Sequence, residues 1–233
     1  KNNGFKYPMK HITVNLAPAD LKKEGPAYDL PIAIGILSAS GQIQSDQLNT
    51  TAFLGELSLN GDIRPIDGVL SMSMELHKNG IKNLILPEEN SLEASLVEGI
   101  NILPAKHIVQ AINHLTHQET INPLSSNIDS YFSKNLSYNI DLDEVKGQES
   151  VKRALEIAAA GAHNLLMIGP PGSGKTMLAQ RLPTILPNMT TEEALQVTKI
   201  YSIAGLLADS TPLVTNRPFR APHHTTSAIS LIG

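Results

Sequence analysis

The stretch "GPPGSGKT" at residues 169–176 constrains this chain more than any other. It meets the pattern G-x-x-x-x-G-K-[ST] through Gly169, Gly174, Lys175 and Thr176, the signature of a loop that cradles phosphates when a strand precedes it and a helix follows. Glycines permit backbone angles that turn several N–H groups into one concavity. The start of the next helix adds free N–H groups and the positive end of its dipole. An ammonium such as that of Lys175 reaches β- and γ-phosphates, and a hydroxyl such as that of Thr176 ligates Mg²⁺. The flanks suit this reading: "NLLMIG" (164–169) reads as a short apolar strand, and "TMLAQRLPTIL" (176–186) as a helix interrupted late by Pro183. The expected nucleotide-binding set is Gly169, Pro170, Pro171, Gly172, Ser173, Gly174, Lys175, Thr176 and Met177, with ATP and Mg²⁺ as ligands.

Hydrolysis needs more than a grip on phosphates. An acid at the end of a second strand ordinarily holds the metal and the attacking water. After Thr176 the only acids are Glu192, Glu193 and Asp209. "GLLAD" (205–209) comes nearest to an acid-ending strand, and its apolar run is short. The catalytic set is therefore expected to be incomplete here. The chain starts at Lys1 rather than Met and stops within "SAISLIG", so an excerpt of a longer polypeptide is expected.

Composition narrows the class. With 41% hydrophobic residues in 233, the chain is long enough to bury real cores. Aromatics are only 4% and Trp is absent, so those cores must be built from Leu, Ile, Val and Ala. Zero Cys excludes disulfides and thiolate metal sites and points to the cytoplasm. No apolar run approaches the roughly 18 residues of a spanning helix, so no membrane partner is expected. A net charge of −4 gives no bulk electrostatic reason to bind nucleic acid; such binding would need a local basic patch.

The Thr-, Ser- and Asn-rich stretch 116–140 reads as a linker between a domain at 1–115 and a second at 141–233. In the first, "HITVNLAP" (11–18) alternates as a strand should, and "DLPIAIGILSASG" (29–41) reads as a buried helix. "AFLGELSLNGDIRPI" (52–66) reads as two strands about an Asn60-Gly61 turn. A helix over 68–80, a strand over 83–87 and a helix over 105–115 complete a mixed α/β pattern. In the second, residues 148–160 form an amphipathic, Ala-rich helix ahead of the phosphate loop.

"DEVKGQESVKRALEIAAAGAHNLLMIGPPGSGKTMLAQRLPTILP", together with "RPFRAPHHTTS" (217–227), resembles the magnesium-chelatase-like AAA+ ATPases, specifically the bacterial ComM (YifB) group, and the resemblance runs over essentially the whole chain. It implies a fold of an N-terminal Lon-protease-like α+β domain followed by the first part of a P-loop AAA+ α/β module. It also implies that the acidic Mg²⁺ motif and the arginine finger lie beyond Gly233. By the same resemblance Val145, Gly147 and Gln148 fall in the segment that lines the adenine pocket. The group's members are hexameric ring motors that act on single-stranded or branched DNA and are associated with branch migration in natural transformation. A metal-insertion motor of the chelatase type and a nucleotide-binding scaffold without motor action are the alternatives.

"FLGELSLNGDIRPIDGVL" followed by "HKNGIKNLILPEEN" (77–90) looks much like the core of the Lon protease domain. Active members use a Ser nucleophile and a Lys base. Here "KEGPAYDLP" (23–31) puts Ala27 at the nucleophile position, and Met72 stands at the base position. A methyl and a thioether can neither attack a carbonyl nor take a proton, so peptidase activity is not expected.

"TNRPFRAPHHTTS" (215–227) gathers Arg217, Arg220, His223 and His224 around Phe219 and two prolines. Arg grips phosphates bidentately and Phe stacks on a base. The segment is either a solvated loop or subunit contact, or a site of DNA or pore contact through these four residues. Adjacent histidines point in different directions and no acid lies near, which argues against a metal site.

Overall fold

The computed structural model describes residues 3–16, 25–134, 138–208, 211–222 and 225–226. Its contacts divide the chain into two compact units, residues 1–128 with 195–213, and residues 129–194 with 214–233.

The first unit is built on a parallel sheet of β1 (Thr51–Phe53), β4 (Asn83–Pro87) and β5 (Asn101–Ala105), in the order β1-β4-β5. Leu84, Ile85 and Leu86 of the central strand are fully buried, as a parallel strand covered on both faces requires. Successive side chains leave a strand on opposite faces, and that alternation sorts the core into two clusters. Ile85, Leu103 and Ala105 pack with Leu30, Ile34 and Leu37 of α1 (Asp29–Ala39) and with Ile108, Ala111, Ile112 and Leu115 of α4 (Ile108–Leu115). Leu84, Leu86 and Ile102 pack with Val69 of α2 (Val69–Lys78) and Ala94 of α3 (Ser91–Ala94). An antiparallel hairpin, β2 (Glu56–Leu57) with β3 (Ile63–Arg64), turns at Asn60-Gly61. Gly61 has φ 98°, and a Cβ there would stand 2.7 Å from the His107 ring, so a side chain fits neither the backbone nor the space. His107 in turn caps α4, its Nδ1 accepting from Val109 N at 3.2 Å.

A buried carboxylate organises one corner of this unit. Glu93 on α3 accepts hydrogen bonds from Leu70 N at 2.7 Å and from the Ser202 hydroxyl. Gly68 N, at the start of α2, donates to Ser202 O at 3.1 Å. Ser202 lies on α8 (Thr191–Ile203), whose residues from Leu195 onward belong to the first unit. Burial raises the Glu93 pKa against the pull of these donors.

The second unit contains α5 (Asp129–Lys134), α6 (Glu149–Gly161), α7 (Lys175–Ile185) and the first turn of α8. Leu142, Val145, Leu155 and Leu178 form its core, with Met167, Leu182 and Ile185 against them. Pro183 is accommodated inside α7, which runs on to Ile185 rather than breaking. It stands within a turn of the helix end, where few later residues depend on the ladder. A capping box opens α8: Glu193 N donates to Thr190 Oγ1 at 3.2 Å and Thr190 N to the Glu193 carboxylate at 2.9 Å.

Two expected strands are absent. Residues 11–16 carry no strand, and the remainder of the 11–18 segment lies outside the described residues. Residues 164–169 carry none either, and Leu166 and Ile168 are 83% and 89% exposed. A strand exists only within a ladder of inter-strand bonds, and the described residues of the second unit supply no neighbouring strand. Apolar sequence alone does not create one. Among the described residues, no helix is long and apolar enough to cross a membrane.

Candidate nucleotide site

Residues 169–174 form the loop that leads into α7. Gly172 and Gly174 hold φ 77° and 82°, the left-handed region that glycine enters without a Cβ penalty. At Gly172 nothing lies within 4 Å of the position a Cβ would take, so backbone angle alone demands glycine there. At Gly174 a Cβ would also meet Met177 Cε at 3.4 Å and Gln148 Nε2 at 3.7 Å. Gly174 is the N-cap of α7 and offers no side-chain cap, so the first N–H groups of an 11-residue helix are left to a ligand or water. Lys175 and Thr176 open the helix, with Thr176 exposed.

Lys175 is engaged by its own loop. Its Nζ donates to Gly169 O and Pro170 O at 2.8 Å each and to Ser173 Oγ at 3.2 Å. These loop oxygens take all three N–H donors of the ammonium, so a bound phosphate would replace one or more of them. Pro170 and Pro171 are exposed and limit the backbone freedom of the loop's first half. This donor set fits an anionic phosphate chain, and Thr176 Oγ1, in the first turn, fits a metal ion carried with it.

The second predicted segment approaches the loop from the start of α6. Gly147 and Gln148 have φ 68° and 58°. Gln148 is the N-cap of α6 and its carbonyl accepts from Val151 N and Lys152 N, both at 3.0 Å. Its side chain makes no cap and instead donates from Nε2 to Ser173 O at 3.3 Å. Val145 is 5% exposed and its side chain belongs to the core; its N–H donates to Leu142 O at 3.2 Å and its carbonyl accepts from Lys152 Nζ at 3.2 Å.

Sequence reasoning missed Arg181. From α7 its Nε donates to Asp141 O at 2.9 Å and its guanidinium pairs with Glu144 at 2.7 Å, tying the segment before Val145 to the helix after the loop. The hydrogen bond from Arg181 is the main cause that holds the Glu144 carboxyl below its usual pKa. Partners 37 residues apart leave no periodic trace in the sequence.

The basic tail divides. Arg217 is built into the second unit: Nε donates to Pro187 O at 2.7 Å, the guanidinium pairs with Glu193 at 3.1 Å, and its N–H donates to the Tyr138 hydroxyl at 3.1 Å. Arg220 and Phe219 are exposed, and His223 and His224 lie outside the described residues. In the first unit Ala27 and Met72 both pack against the cluster of Leu84, Leu86 and Val69, so the two predicted dyad positions share one apolar neighbourhood.

Comparison with known proteins matches this arrangement at both ends of the chain. Residues 141–233 match the family model described as magnesium chelatase, subunit ChlI, and residues 1–90 match a second, described as subunit ChlI of Mg-chelatase. The competence protein ComM of Haemophilus influenzae is 45% identical over 236 residues, covering 100% of this chain and 45% of that protein. YifB of Escherichia coli, an uncharacterised protein, is 44% identical over 234 residues with the same coverage. Lon protease 2 of Bacillus subtilis is 35% identical over 114 residues, 48% of this chain and 20% of the protease. The chain spans less than half the length of the ComM and YifB relatives. With a Lon-like α/β first part and the start of an AAA+ module after it, the chain belongs to the magnesium-chelatase-like family as a ComM-type member.

Proposed function

We propose that this chain carries the nucleotide-gripping part of an ATP-dependent AAA+ motor that acts on DNA in the cytoplasm, as a homo-hexameric ring that drives branch migration during transformation or recombination. The observation that carries the reading is the loop at 169–176, with two left-handed glycines and Lys175 at an uncapped helix start. In this reading Gly169 to Met177 hold the phosphates of ATP, Thr176 takes the Mg²⁺ that accompanies them, and the main chain of Val145, Gly147 and Gln148 borders the adenine. The Lon-derived first domain (1–115), without a Ser-Lys dyad, guides substrate or supports the ring; residues 116–140 link it to the module at 141–233. Phe219 and Arg220 are exposed and are the DNA or pore contacts in this reading, and Arg217 shapes the tail they stand on.

The test is ATP turnover by the intact protein, with and without branched DNA, alongside Lys175→Ala. Branched DNA should stimulate turnover, and the substitution should lower it by about a hundredfold or more, as loss of a phosphate-directed charge does. Strand exchange by the Lys175→Ala protein at the normal rate would refute the motor. The names of the two family models favour a second reading, a metal-insertion motor. Turnover indifferent to DNA would support that reading instead.

A further inference from the structure

Gln148 has a feature that neither helix capping nor contact with a base explains. N-cap side chains ordinarily turn back to the N–H groups of their own helix. Gln148 leaves that to its carbonyl, holds φ 58° without being glycine, and sends its amide across 25 residues of sequence to Ser173 O. A carbonyl can only accept, so the group facing it is the NH₂ whichever way the amide is drawn.

The consequence lies in the peptide plane. In a trans peptide the C=O and the N–H of the following residue point in opposite directions. A donor fixed on Ser173 O therefore sets the direction of Gly174 N–H, which points away from Gln148. Gly174 at φ 82° has no side chain to oppose rotation of that plane, so something outside the residue must hold it. Ser173 is gripped a second time through its hydroxyl, which receives the Lys175 ammonium at 3.2 Å. One amide, one serine and one ammonium are thus linked in series.

We infer that Gln148 is a positioning residue of the phosphate loop: its amide locks the Ser173–Gly174 peptide plane so that Gly174 N–H faces the phosphate chain, and it contributes to binding through the phosphates rather than through the base. This rests on the nucleotide-binding reading above and assigns Gln148 a different task within it.

The test compares Gln148→Met, which keeps the length of the side chain and removes the donor, with the unaltered protein, using Mg·ATP and Mg·tripolyphosphate as probes in calorimetry or competition binding. Loss of one hydrogen bond should weaken both by the same factor, about three- to tenfold, with an unchanged circular dichroism spectrum. Gln148→Ala should give the same pair of losses, which guards against an effect peculiar to the thioether. If ATP binding weakened while tripolyphosphate binding did not, Gln148 would be reading adenine and the inference would fail. It would fail too if neither changed. If the unaltered protein bound neither probe, the nucleotide reading itself would fall, a result distinct from both.

Discussion

At the scale of single residues, the site is governed by what glycine permits and what Lys175 touches. Gly172 and Gly174 answer to the same constraint: both hold left-handed angles, and a Cβ at 174 would make only ordinary contacts with Met177 and Gln148. Gly172→Ala and Gly174→Ala should therefore weaken ATP binding to a similar degree, each incurring about 1 kcal/mol or more of left-handed strain; titration of Mg·ATP into each variant measures the losses. A much larger loss at one of them would mean that more than backbone angle matters there. The motif residues were legible because the spacing that cradles phosphate is local in sequence. Arg181 and its partners Asp141 and Glu144 were not, since the contact depends on how α7 packs against a distant segment. The role of Val145 was only half legible: an apolar residue beside Gly147 reads equally as pocket lining or as core, and packing with Leu155 and Leu178 puts its side chain in the core.

At the scale of elements, helices and the hairpin followed their signals more closely than strands did. α1 and α2 fall within the segments that apolar runs and closing glycines marked, α6 and α7 match theirs to within one residue at each end, and the hairpin turns at Asn60-Gly61 as its sequence demands. β5 escaped notice because "NILPA" carries a proline, which counts against a strand; at the edge of the sheet its missing N–H costs no ladder bond. The segments at 11–16 and 164–169 failed in the other direction, since alternation or apolarity identifies a strand only where a neighbour completes the ladder. Leu155 anchors α6 in the core of the second unit. Leu155 is fully buried between Leu142, Val145 and Leu178. Leu155→Ala should destabilise the protein by about 2–5 kcal/mol, seen as a lower midpoint in urea unfolding, and should loosen the Gln148 N-cap that precedes it. An exposed position on the same helix, Ile157, should tolerate alanine with little change.

At the scale of the whole molecule, stability should fall on the acid side of neutrality, and His114 supplies a cause. Its Nδ1 accepts from Ile121 N at 3.0 Å, which requires an unprotonated nitrogen. Desolvation, followed by the nearby His117, lowers its pKa from 6.5. The folded protein therefore resists a proton that the unfolded chain accepts. Its contribution is intact above pH 6.5 and is lost as pH falls from there through the folded value. Urea midpoints measured across pH 5 to 8 should decline over that window, and His114→Gln should flatten the decline; an identical slope in the variant would exclude His114. The bare apolar stretch around Leu166 and Ile168 has a practical consequence of its own. Two large aliphatic side chains standing in water beside unladdered backbone make an adhesive edge, so a preparation of this 233-residue chain should clump as it is concentrated, and a mild detergent should disperse it.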